Sequence, residues 1–342
     1  MIERLVYRID RAGNLKKLEQ RKETLPSPGR GEVQVKVHAI GLNFADIFAV
    51  MGLYSATPKG SFVPGLEYSG VIEEVGEDVS SFKKGDRIMG VTRFGAYATH
   101  LNIDAAYVAP IPSEWLFAEA AGYLVQALTA YYGLFRLGNL QPGMNVLIHS
   151  AAGGVGIQAN RMAQHTGAYT IGTVGSEKKI ELLKEEKYQE WIVRDRNFRK
   201  TLSEKLNGRK LDLVMECIGG DVLKAGFENL APMGRMVVYG SARYGDSSNR
   251  PNWLRLVYLY LTRPKIDPQK LPENNKGILG FNLIWLYERK ELMNEILREL
   301  DSMHLPPPVV GHEFGFDDMY KALKLFQSGR TTGKVVVLTG AD

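Results

Sequence analysis

One stretch constrains this chain more than any other: Val146-Leu147-Ile148-His149-Ser150-Ala151-Ala152-Gly153-Gly154-Val155-Gly156-Ile157-Gln158. A short β-branched run stops, the backbone turns on small residues, and a helix-compatible segment begins. A strand, a tight turn and a helix N-terminus make an anion site, because unpaired N–H groups and the helix dipole point at the same place. The usual occupant of such a turn is a dinucleotide pyrophosphate. Gly153 lacks the Cβ that would hold a phosphate off, and Gly156 lets the helix lie close on the strand. Ala151 takes the first position of the Gly/Ala-x-Gly-x-x-Gly pattern, and the strand–turn–helix context is what makes the pattern specific. Ala152, Gly153, Gly154, Val155 and Gly156 are the expected cofactor-binding residues of the turn.

The chain has 342 residues, more than one hydrophobic core normally serves, so two domains are expected. Its single cysteine, Cys217, excludes an internal disulfide and any multi-cysteine zinc site. No signal-type apolar core follows Met1, and no run of apolar residues is long enough to span a bilayer, so a cytoplasmic protein is expected. The net charge of +5 comes without a basic arm or reader motif, which argues against nucleic acid as a partner.

Residues 1–110 read as mostly β. Val33 to Val37 and Tyr68 to Gly76 alternate at period two between glycine and proline punctuation, the composition of a partly open barrel. From about residue 123 short apolar strands (146–149, 169–174, 191–193, 213–217, 236–239) alternate with helical stretches. That alternation implies an α/β doubly wound parallel sheet, with ligands at the carboxyl ends of its strands. Residues 245–278 fit less well, although Trp253, Leu254, Val257, Tyr258 and Leu261 recur at helical spacing. A helix around 291–303, another over 317–327 and a strand at 334–338 close the chain.

Several segments in this order, Gly41-Leu42-Asn43-Phe44-Ala45-Asp46, Pro64-Gly65-Leu66-Glu67-Tyr68-Ser69-Gly70, Phe82-Lys83-Lys84-Gly85-Asp86-Arg87, Leu128-Thr129-Ala130-Tyr131, the glycine turn and Thr332-Gly333-Lys334-Val335-Val336, resemble the medium-chain dehydrogenase/reductase superfamily. The likeness is to its zinc-independent quinone oxidoreductases, and residues 265–283 look most like the vesicle amine transport protein subfamily. The resemblance implies a GroES-like barrel domain built from residues 1–122 and 290–342, with a Rossmann domain inserted at 123–289. It also implies a homodimer paired through the apolar edge strand around Ile278 to Leu283.

The superfamily's zinc-dependent members carry cysteine where this chain has Asn43 and histidine where it has Leu66, and they add a four-cysteine lobe that is missing here. No metal is therefore expected. His149 is read as a strand-end residue whose ring satisfies backbone groups. The position after the second Rossmann strand that would hold an acid for NAD is Val174-Gly175-Ser176. Gly175 leaves room for a 2′-phosphate; Ser176 and Lys178 can donate to it, with Arg194 and Arg330 as further cations. NADPH is the expected cofactor, against the alternative that Lys178 and Lys179 merely form a solvated helix face.

Hydride delivery to an electron-poor acceptor, a quinone or an α,β-unsaturated carbonyl, is the chemistry that needs no metal. By resemblance Asn43, Tyr54 and Thr129 line the cleft, Asn43 and Tyr54 bonding the oxygen of this small-molecule electrophilic acceptor and Thr129 orienting the nicotinamide. Gly240, Ser241 and Phe281 are placed beside the nicotinamide half. Asp46 is a candidate proton donor or, alternatively, a buried capping carboxylate. Phe48 stands where many quinone reductases have tyrosine, which removes a phenolic donor and keeps open a second reading, a cofactor-binding scaffold with little turnover. Arg250, Arg255, Arg263 and Lys265 flank the apolar stripe at 253–261 without an acid, so that stripe faces a membrane surface, a dimer partner or the protein's own cleft.

Overall fold

The computed structural model describes residues 1–340. Six parallel strands form the sheet that carries the glycine turn: β1 (Asn145–His149), β2 (Tyr169–Val174), β3 (Glu190–Val193), β4 (Leu211–Glu216), β5 (Leu230–Val238) and β6 (Gly277–Gly280). Their spatial order is β3-β2-β1-β4-β5-β6, so the winding reverses between β1 and β4 and opens a crevice at the carboxyl ends of those two strands. Both faces are covered. Val146 and Ile148 point into one apolar cluster, and Leu147 between them points into a second with Ile171, Val214 and Met236. A strand buried on both faces needs apolar residues at every position, which is why β1 reads as a continuous run.

The second sheet orders Val310–Gly315, Lys334–Leu338, Glu32–Gly41, Glu67–Val75, Arg87–Val91 and Val108–Pro110, with His100–Asp104 also paired to Glu32–Gly41. Here the two ends of the chain meet: Lys334–Leu338 runs antiparallel to Glu32–Gly41, with Val337 opposite Ile40. The β-rich opening is interrupted by one α-helix, α1 (Phe44–Val50), besides two short 3-10 turns. Asp46 in its first turn accepts a hydrogen bond from the Asn43 backbone N–H at 2.8 Å, which starts the helix immediately after a strand. The turn-rich segment 267–277 also contains a short helix, Lys270–Asn274, ended by Asn275 in the left-handed region at φ 50°.

Between the sheets lies an ion pair that links three parts of the chain. Lys334, 3% exposed, donates from Nζ to Glu67 Oε1 at 2.7 Å and to the Leu42 carbonyl at 2.7 Å. Gln126 Nε2 at 2.8 Å and Asn43 Nδ2 at 3.0 Å reach the same Glu67 oxygen, and the Val125 N–H takes Oε2 at 3.0 Å. Val125 and Gln126 belong to the helix Leu124–Tyr131, which leads toward β1. Removing one partner of such a pair strands the other charge without water. Lys334→Met is therefore expected to cost about 3–5 kcal/mol in denaturant unfolding. Adding Glu67→Gln should recover much of that loss; an additive double mutant would show that the two side chains are not coupled.

Candidate functional site

The turn after β1 enters α2 (Gly154–His165) through Gly153, whose extended backbone (φ −97°, ψ 167°) makes it the N-cap. Ser150 takes φ 53°, a left-handed conformation on a non-glycine residue, and its hydroxyl accepts from Cys217 Sγ at 3.4 Å. A Cβ on Gly156 would come within 2.5 Å of the Ser150 carbonyl and 2.7 Å of Ala151 Cα, so glycine alone lets α2 lie this close to β1. A Cβ on Gly153 would meet only the Ser150 oxygen, at 3.2 Å. The first turn of α2 thus presents free N–H groups and bare backbone to a cavity of about 1560 Å³ lined by Ala152, Gly153, Gly154, Val155 and Gly156. The Gly333 N–H bonds the Ala152 carbonyl at 2.8 Å, so the chain's last strand begins against this turn.

One arm of the cavity runs past the end of β2. Gly175, Ser176, Lys178, Arg194 and Arg330 all line it. Lys179 lines it too, and is not part of a solvated face. Its ammonium is bound by the Gly329 and Thr331 carbonyls at 2.8 and 2.7 Å, and burial holds its pKa below the ordinary value. Arg194 is fixed from behind, its Nη1 donating to the Thr173 carbonyl at 3.0 Å and to Thr173 Oγ1 at 2.7 Å. His149 Nδ1 lies 2.7 Å from the same hydroxyl.

Because Arg194 donates to Thr173 Oγ1, the hydroxyl proton is left for His149 Nδ1, and the imidazole is neutral. Burial and the nearby Arg194 push its pKa down to about 3. Its Nε2 is 3.2 Å from Glu216 Oε2 without a hydrogen bond between them. His149 therefore serves side chains, not the backbone groups expected of it, because a fully buried strand has no free backbone to offer. Arg194 Nη2 meanwhile lies beside Gly175, 3.6 Å from where a Cβ would stand.

The other arm holds Thr129, Gly240, Ser241 and Phe281 together with Tyr54. Thr129 Oγ1 donates to the Val125 carbonyl at 2.7 Å, which leaves its oxygen free to accept. Tyr54 donates to Asn282 Oδ1 at 2.6 Å, bridging from the barrel side to the loop after β6, and burial pushes the phenol up to about 12. Asn282, for which the sequence gives no signal, offers its amide to the cavity from this pair.

Two sequence expectations need correction here. Asn43 reaches the cavity wall, but its amide is consumed: Oδ1 accepts from Gln126 at 2.7 Å and Lys334 at 3.3 Å, while Nδ2 donates to Glu67 and the Gly41 carbonyl. It has no donor left for an acceptor's oxygen. Asp46 is fully buried and lies off the cavity, bonded to the Asn43 N–H and, at 3.0 Å, to the Tyr97 hydroxyl. The capping alternative describes it, and a proton-donating role does not.

Charge is distributed one way across this cavity. Lys178, Lys179, Arg194, Arg330 and Lys334 line it, and among the described residues no aspartate or glutamate does. Bare glycine backbone at the α2 N-terminus, cations beside Gly175 and a hydroxyl acceptor at Thr129 fit a phosphorylated dinucleotide. Among the described residues no group of three or more histidine, cysteine, aspartate or glutamate side chains could hold a metal ion. No helix among them is long and apolar enough to cross a membrane.

Comparison with known proteins matches residues 29–113 to the alcohol dehydrogenase GroES-like domain and residues 154–267 to the zinc-binding dehydrogenase domain. The human synaptic vesicle membrane protein VAT-1 homolog is 33% identical over 330 residues, 95% of this chain and 84% of its own length. Among solved structures, Escherichia coli quinone oxidoreductase complexed with NADPH superposes with a TM-score of 0.84 at 26% identity, covering 99% of this chain and 100% of its own. The CurK enoyl reductase does so with a TM-score of 0.82 at 25% identity, covering 98% and 99%.

Asp46 makes the site's packing testable through pH. Its Oδ1 is buried without a partner, and desolvation raises its pKa to about 7 against the Asn43, Tyr97 and Lys334 contacts that lower it. A carboxyl raised on folding stabilises the protein at low pH, and that stability is lost as pH climbs from about 4 through 7. Asp46→Asn removes the titration while keeping an acceptor for Asn43 and Tyr97. It is expected to gain up to about 4 kcal/mol on the wild type between pH 4 and 8, at roughly 1.4 per pKa unit. Parallel stability curves for the two proteins across that range would rule this out.

Proposed function

The chain belongs to the medium-chain dehydrogenase/reductase superfamily, within its VAT-1 subfamily, and on that premise we propose that it is an NADPH-dependent, zinc-independent reductase of quinones or α,β-unsaturated carbonyls. The observation that carries this reading is the division of charge along the cavity. Every charged side chain described on its wall is basic: Lys178, Lys179, Arg194 and Arg330 lie toward the end of β2, while Lys334, near Phe44 and Leu66, is paired with Glu67, so the wall there carries no net charge. An anionic cofactor and an uncharged acceptor suit those two regions.

When bound, NADPH supplies the hydride. The turn from Ala152 to Gly156 holds its pyrophosphate, and Ser176, Lys178, Arg194 and Arg330 surround the 2′-phosphate. Thr129, Gly240, Ser241 and Phe281 align the nicotinamide half. Asn282, oriented by Tyr54, offers amide N–H groups to the acceptor's oxygen as charge develops on it. Phe44 and Phe48 keep water from the reacting face but supply no proton. With Asp46 sealed away, solvent protonates the product. In solution two copies pair through the exposed edge of β6, which leaves no open sheet edge there.

NADPH oxidation on a panel of quinones and enals tests the reading. Arg194→Ala and Arg330→Ala should each weaken NADPH binding about tenfold and leave NADH binding nearly unchanged, since each substitution removes one charge-assisted hydrogen bond to the 2′-phosphate. Tight NADPH binding with no turnover on any acceptor would favour the scaffold reading instead.

A further inference from the structure

One part of the cavity wall carries none of the residues assigned to the cofactor. It is formed by α3 (Trp253–Leu261), a helix in which Arg255 is the sole charged residue. Trp253, Leu256, Val257 and Tyr260 line the cavity at spacing i, i+3, i+4 and i+7, the stripe of a helix facing a core. No core meets it. None of the nine residues is buried, and Trp253 and Tyr260 are 65% and 57% exposed. Polar contacts at one end hold the helix instead. Asn252 Oδ1 caps the Arg255 N–H at 3.0 Å, and the Arg255 guanidinium donates to the Arg243 and Gly245 carbonyls at 2.7 and 3.2 Å. Arg255 is thus spent on the backbone and on the Asp246 carboxylate 3.7 Å away, and is not free to face an anionic ligand.

This stripe is continuous with the acceptor region. Leu256 lines a small second pocket with Phe44, Leu53 and Asp246, the last paired with Arg255, and a Cβ on Gly245 would lie 3.8 Å from Phe48. From Phe48 to Tyr260 the wall has no charge, and the cavity exceeds the roughly 300–1,000 Å³ that suffices for a drug-sized ligand. The seven helical rises from Trp253 to Tyr260 extend this apolar strip by about 10 Å, enough for a chain of roughly eight carbons.

We propose that the acceptor carries an unbranched alkyl chain, with its electrophilic head at Tyr54 and Asn282 and its tail along Trp253, Leu256, Val257 and Tyr260. The inference rests on the reductase reading for the head and on α3 alone for the tail. Two series separate them: turnover of trans-2-alkenals of four to twelve carbons, and calorimetric binding of saturated 2-alkanones of the same lengths to the NADPH-loaded protein.

Affinity for the ketones, and kcat/KM for the enals, should rise about two- to four-fold per methylene up to about ten carbons and then level off. Trp253→Ala combined with Tyr260→Ala should flatten both series, and Leu254→Ala on the outer face should leave them steep. All three side chains are exposed, so the variants retain the fold. A flat ketone series, or a slope that survives Trp253→Ala with Tyr260→Ala, overturns the tail site whatever the enals do. A steep ketone series with no enal turnover supports the tail site and counts against the reductase.

Discussion

The ion pair between Lys334 and Glu67 is the contact on which the rest of the molecule depends. Two side chains at 3% and 1% exposure meet at 2.7 Å where the last strand, the Glu67–Val75 strand and the helix leading to the Rossmann sheet converge. Every oxygen and proton of the pair is used, as a charge this deep requires. The same cluster takes up both ends of the Asn43 amide, so a residue well placed to face the ligand becomes part of the wall. Structural demand has displaced a chemical role.

The cofactor end shows the reverse arrangement, in which structural residues serve the site. Thr173 lies inside β2 and His149 at the end of β1, and neither lines the cavity. Together they hold Arg194 by one nitrogen and leave another facing the space beside Gly175. A guanidinium fixed in this way gives up little freedom when it meets a phosphate, which strengthens binding without an additional contact.

Much of this was legible in the sequence because it depends on local rules. The β-branched run, the glycines and the helix after them fix the turn, and the lack of an acid at Val174-Gly175-Ser176 gives the charge preference. What was hidden depends on partners far apart in the chain. The Tyr54–Asn282 hydrogen bond spans 228 residues, and nothing near either position signals it. The fate of Asn43 was equally hidden, since Gln126 and Lys334 arrive from other elements. The stripe on α3 was visible from its spacing, but spacing does not say whether a helix faces a core or a cavity. Left-handed Ser150 was unreadable because serine carries no preference for that conformation.

The pairing of Lys334–Leu338 with Glu32–Gly41 also orders events during synthesis. The Rossmann strands run consecutively enough to pair as they leave the ribosome, whereas the first-made sheet lacks a central neighbour until nearly 300 further residues have followed. The portion translated first is thus the portion completed last. In the interval only the Ala39–Gly41 end of that strand has an open edge, since His100–Asp104 already pairs with Glu32–Lys36.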